Sequence, residues 1–148
     1  MGLPRLVVVV GPKSGGKTAL AHAIAEHLAC PVIQTGLELS RRLLEIEIKR
    51  RPLDLEEELK KLVSACETPA VVLDNTEFLF EGHIQAKPLT LLERLAKNRL
   101  VVATWSGEWV EPSLIFGYPS HPAHCKLRPR GYPLIDLSQG NPAVYYPS

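Results

Sequence analysis

The chain has 148 residues, 45% of them hydrophobic, and a formal net charge of +1. That size suits one domain with a real core; so small a charge gives no general polyanion signal, so DNA contact, although possible, would need a local patch. Three scattered cysteines, Cys30, Cys66 and Cys125, lack CxxC spacing and suit a reducing cytosol, and no apolar stretch approaches a membrane span.

Leu6–Val10 is a short apolar, β-branched run, as expected of a central parallel strand. It is too brief for a signal peptide and lacks a small-residue cleavage pattern. It leads into Gly11-Pro12-Lys13-Ser14-Gly15-Gly16-Lys17-Thr18, a G-x-x-x-x-G-K-T phosphate-binding loop. Glycines let successive backbone N–H groups turn toward phosphate oxygens, and a helix starting there adds its positive dipole end. Residues Gly11 to Ala19 are therefore the expected nucleotide-binding set. Lys17 would neutralise the terminal phosphates of ATP, and the Thr18 hydroxyl would hold Mg²⁺. The following segment predicts a helix that buries Ala19, Leu20, Ala23, Ile24, His27 and Leu28.

Pro31–Thr35 reads as a second strand. Residues 37–48 read as a helix with Leu39, Leu43 and Ile46 inward and Leu44 and Ile48 beside them. Asp54 with Glu57 resembles a capping box for a helix burying Leu55, Leu59, Leu62, Val63 and Cys66. Glu56–Lys60 and Glu57–Lys61 are expected pairs on its wet side. Ala70–Asp74 reads as a strand, 89–97 as a helix and Leu100–Thr104 as a strand. Such alternation predicts an α/β fold: an open, mostly parallel sheet with helices on both faces, of the P-loop NTPase type. The whole chain, 1–148, is read as one nucleotide-binding domain. Its proline-rich segment 112–148 is expected to be largely extended loop packed on that domain, with possible strands at 114–116 and 134–137.

Ligands bind open α/β sheets at the carboxyl ends of the strands. This edge would collect the phosphate loop, Thr35, Asp74 and Thr104. Asp74 ends an apolar strand and is the expected second magnesium ligand. Asn75 stands where many ATPases carry a water-orienting glutamate, so Glu77 is the nearest candidate for that role. Thr104 is a candidate γ-phosphate sensor. Arg41 and Arg42 could act as an arginine finger toward a neighbouring subunit, or simply be solvated. Lys49, Arg50 and Arg51 read as a wet helix end, and Trp105 and Trp109 as packing or base-stacking aromatics. His121, His124 and Cys125 lack a fourth ligand and a zinc-finger spacing.

Four stretches, GPKSGGKTAL, TGLELSRRLLE, VVLDNTEFLF and KNRLVVATWSG, run in order through most of residues 5–107 and are similar to the BrxF family of small P-loop proteins from type III BREX phage-defence systems. The resemblance implies a bacterial cytoplasmic ATP-binding protein with an AAA+-like core, working with other BREX proteins against phage DNA. The helical lid usual in AAA+ proteins is not evident after Thr104. The leading expectation is a slow ATPase or ATP-gated switch that assembles with itself or with partners. A nucleotide-binding structural subunit that hardly hydrolyses, and a small-molecule or nucleoside kinase, are the alternatives; a kinase of this size needs a mobile lid bearing arginines, and the proline-rich stretch that holds Arg128 and Arg130 would make a stiff one.

Overall fold

A computed structural model describes residues 5–12, 16–44, 51–80, 87–116, 125–129, 131–139 and 141–147. In chain order the elements are β1 (Leu6–Gly11), α1 (Lys17–Leu28), β2 (Val32–Gln34), α2 (Thr35–Leu43), α3 (Arg51–Ser64), β3 (Ala70–Asp74), a 3₁₀ turn (Thr76–Phe80), α4 (Pro88–Leu95), β4 (Leu100–Ser106), β5 (Glu108–Val110), β6 (Ser113–Phe116), β7 (Cys125–Leu127), β8 (Leu134–Asp136) and β9 (Ala143–Tyr145). A six-stranded sheet has the order β2-β3-β4-β1-β8-β9. All its pairings are parallel except β8 with β9. A second, antiparallel sheet is built from β5, β6 and β7.

The valine run of β1 is explained by burial on both faces, which removes any need for polar alternation. Leu6, Val8 and Val10 join a core with Leu39 and Leu43 of α2, Leu55 and Leu59 of α3, and Leu92 of α4. Val9 faces the other way, packing with Val72, Val102 and the alanines of α1. Helices therefore cover both faces of a mostly parallel sheet, as expected.

Several details differ from expectation. In α1 the buried residues are Lys17, Ala21 and Ala25; Leu20 and Ile24 are half-buried, while Ala19, Ala23, His27 and Leu28 are exposed. Lys17 points inward at the start of the helix, so positions four and eight residues on share its face. Alanine there lets the helix lie close to the sheet. The second strand stops at Gln34, and Thr35 already begins α2. Leu44 is 73% exposed rather than beside the core. Ile46, Ile48, Lys49 and Arg50 lie outside the described residues.

Asp54 sits within the first turn of α3 instead of capping it, because the helix already includes Arg51 and Pro52. Proline is tolerated in a first turn, where its missing N–H has no helical partner to lose. Lys60 pairs with Glu56 at 3.4 Å as expected, but Lys61 turns to Glu58 at 3.2 Å rather than to Glu57. The segment 112–148 is also more regular than a packed loop. It supplies β6 and β7 to the small sheet and β8 and β9 to the main one. The expected strand near 134–137 is β8, beside β1.

Candidate functional site

Parallel pairing brings the ends of β1, β2, β3, β4 and β8 to one edge: Gly11, Gln34, Asp74, Ser106 and Asp136. Gly11 is tightly seated, since a Cβ there would stand 3.3 Å from Cβ of Leu137 and 3.4 Å from Cγ of Lys17. Gly16 has φ +87°, a left-handed conformation costly for residues with a Cβ, and its carbonyl accepts the N–H of Leu20 at 3.1 Å. This turn launches α1 at Lys17. The Lys17 side chain is 5% exposed, and its Nζ donates back to the carbonyl of Pro12. Burial lowers its pKa from the ordinary value of 10.5; the negative charges of Glu77 and Asp74 oppose that shift. Thr18 and Ala19 are exposed, and Lys13, Ser14 and Gly15 lie outside the described residues.

Asp74 is 2% exposed. Its Oδ1 accepts the Thr104 hydroxyl at 3.0 Å and the Asn75 N–H at 2.9 Å. Its Oδ2 is buried with no hydrogen-bond partner. A buried carboxylate oxygen without a partner is costly and calls for a cation or a water. With Lys17 in its electrostatic neighbourhood and Thr18 one residue further on α1, the donor set is oxygen-based, as hard divalent cations require. Among the described residues there is no group of three or more His, Cys, Asp or Glu side chains suited to a metal. The free oxygen of Asp74 is of the kind that Mg²⁺ takes alongside several waters.

Glu77, in the 3₁₀ turn, is half-buried, and Ser106 Oγ donates to its Oε1 at 2.8 Å. Ser106 was missed because the strand was expected to end at Thr104. The signal was present: in Leu-Val-Val-Ala-Thr-Trp-Ser a period of two puts Thr104 and Ser106 on the same side. Thr104 itself is fully buried, with its hydroxyl engaged by Asp74, and its carbonyl accepts the Thr76 hydroxyl. The strand-end position that faces the edge is Ser106.

Gln34 was also missed. Asn75 adopts φ +54° and its amide donates to Gln34 Oε1. The Asn75 carbonyl accepts the Gly36 N–H at 3.1 Å, tying the first turn of α2 to the residue after Asp74. Thr35 is fully buried at this junction.

Arg41 and Arg42 are in the last turn of α2. The helix leaves the edge at Thr35, so Arg42 lies about 10 Å along it. Arg42 meets Glu58 of α3 at 3.3 Å; Arg41, largely exposed, has Glu38 at 3.8 Å. The structure does not gather them with Lys17. Trp105 is packing: it is fully buried and donates to the Ile115 carbonyl at 3.2 Å. Trp109 is half-buried, its ring 6.2 Å from that of Tyr145. Arg128 is exposed, while His121, His124 and Arg130 lie outside the described residues. No helix among the described residues is long and apolar enough to cross a membrane.

No protein-family model matches the chain. No curated protein matches it either. Among solved structures it is similar to one titled "Structure of C. elegans PCH-2", at 19% identity and a TM-score of 0.39, over 68% of this chain and 29% of that one.

Proposed function

We propose that the chain is a P-loop nucleotide-binding protein that takes ATP with Mg²⁺ and works as a slow ATPase or ATP-gated assembly switch. The observation that carries this reading is the unpartnered, buried Oδ2 of Asp74 at the strand edge that also holds Lys17. Lys17 is the buried cation there, and its present partner is only a neutral carbonyl. A phosphate would offer it a charged one. Asp74 and Thr18 would hold the Mg²⁺, which would offset charge on the phosphates. Glu77, fixed by Ser106, is the carboxylate that would orient water.

In the cell we place this activity with BREX partners in phage defence, on the family resemblance of residues 5–107. The protein would be an AAA+-like, cytoplasmic component that self-associates when ATP is bound. Arg41, the more exposed of the two arginines, is the one we assign to contact with a neighbour. One observation favours a second reading, a nucleotide-binding structural subunit. Asn75 stands where a catalytic glutamate would and is held by Gln34.

Thermal unfolding with and without Mg-ATP tests the binding reading. A ligand at 100 times its dissociation constant stabilises a protein by about 2.7 kcal/mol. That gain should appear in the wild type and be lost in Lys17→Ala. Equal shifts in both proteins would refute the site.

A further inference from the structure

The proline-rich part of the chain builds a second feature, lined by none of the residues of the strand edge described above. A cavity of about 240 Å³ opens between β5, the start of β6, the end of β7 and β9. Its lining includes Trp109, Glu111, Arg128, Tyr145 and Tyr146. Apolar exposure concentrates around it: Val110 is 50%, Val144 52%, Tyr145 38% and Tyr146 77% exposed.

Strand β9 is the last strand of the six-stranded sheet. It pairs with β8 on one side. Among the described residues no backbone hydrogen bond reaches its other side. Edge strands are ordinarily blunted by charged side chains, by proline or by short length. β9 is short and flanked by Pro142 and Pro147, but Ala143-Val144-Tyr145 itself carries neither proline nor charge.

We propose that this face is a two-fold interface in which β9 pairs antiparallel with β9 of a second copy of the chain, with Tyr146 of each copy seated over the cavity of the other. The charges on the cavity wall identify the occupant. Glu111 and Arg128 share that wall, yet among the described residues neither forms an ion pair. An isologous contact requires a self-complementary patch: residue i meets j while j meets i. One acid and one base on the same rim satisfy this with two reciprocal Arg128–Glu111 pairs. A purely acidic or basic partner would leave one charge opposed by its like. Antiparallel strand addition across a two-fold axis extends the sheet and satisfies the free edge at once.

The dimer needs no nucleotide, so its test is independent of the ATP reading. Sedimentation of the nucleotide-free protein over a range of concentrations should show a monomer–dimer equilibrium, unchanged in Lys17→Ala. Glu111→Arg and Arg128→Glu should each weaken self-association at least tenfold, about 1.4 kcal/mol. Mixing the two variants should restore the dimer, because every cross-interface pair is then again opposite in charge. Circular dichroism of the separate variants shows that they remain folded, and Val144→Lys gives an independent block of the strand edge. A wild type that stays monomeric throughout overturns the proposal. So does undiminished dimerisation in the single variants, or failure of the mixed variants to associate.

Discussion

Thr104 donates its hydroxyl to Oδ1 of Asp74 at 3.0 Å, from one strand of the sheet to the next, and Oδ2 of the same carboxylate is left buried and unpartnered. The hydroxyl fixes which oxygen is occupied and which is available. Asp74→Asn should keep nucleotide affinity measured without magnesium but lose most of the gain that magnesium adds. Thr104→Val should leave the charge and remove the hydrogen bond, destabilising the protein by about 1.5–3 kcal/mol. Nucleotide titrations with and without Mg²⁺, together with denaturant unfolding, check both. A normal magnesium response in Asp74→Asn would reduce that residue to a turn former.

Lys17 is protonated at a burial cost. Its folded pKa lies below the unfolded value of 10.5, with burial as the largest cause. Above the folded value the unfolded state binds more protons, so stability should rise with pH from the folded pKa up toward 10.5. Below that window the burial penalty is fully present. Lys17→Met should therefore make the nucleotide-free protein more stable near neutral pH while abolishing its response to Mg-ATP. It should also flatten the alkaline rise. Unfolding curves at a series of alkaline pH values would show an unchanged slope if the burial account were wrong.

Turnover should be slow. Asn75 cannot accept a proton from water, and the nearest carboxylate, Glu77, comes from the following 3₁₀ turn and shares an oxygen with Ser106. Phosphate release from the isolated protein should lie well below the enzyme median of about 10 s⁻¹. Glu77→Gln should reduce what remains, and Ser106→Ala should lower kcat with little change in nucleotide affinity. Steady-state phosphate release separates these outcomes, and turnover above the median from pure wild type would contradict the assignment.

Gly107 joins β4 to β5 at a point with no room for a side chain. A Cβ there would come 1.9 Å from the Ile115 carbonyl oxygen, a backbone atom that cannot swing away. Gly107→Ala should cost about 3 kcal/mol. Urea denaturation gives the number, and a variant as stable as wild type would mean that the two strands separate freely here.

The two arginines of α2 should behave differently. Arg42, itself partly exposed, bridges α2 to α3 through Glu58, an ion pair worth at most about 1 kcal/mol. Arg42→Ala should be nearly silent in nucleotide binding and assembly. Arg41→Ala should remove an ATP-dependent increase in mass seen by light scattering. If Arg42→Ala alone removes it, the neighbour is reached from the α3 side instead.

The strand–loop–helix opening and the acid at Asp74 were legible because each follows from one local rule: buried parallel strands are continuously apolar, and a phosphate loop has fixed spacing. The buried face of α1 was misjudged for a physical reason. Hydrophobicity alone favours Leu20, Ile24 and Leu28, but the inward aim of Lys17 sets the rotation of the helix and selects Ala21 and Ala25. The Asn75–Gln34 and Glu77–Ser106 contacts were not legible. Each joins residues on different elements, and only the sheet order makes them neighbours. The small antiparallel sheet was hidden by prolines, which mark turns clearly and short edge strands poorly.

Strand β1 is flanked by β4 and β8, and Val8 faces Leu134, 126 positions later in the chain. Strand β1 therefore cannot complete its hydrogen bonding until β8, more than a hundred residues later, has been made. At synthesis rates of about 5–20 residues per second, its apolar edge waits about 6–25 s for its partner. A run of valines held that long beside open N–H and C=O groups is a ready template for wrong pairing. Yield should then depend on how quickly the last third of the chain is translated, and rare codons between β4 and β8 should increase aggregation without changing a single residue.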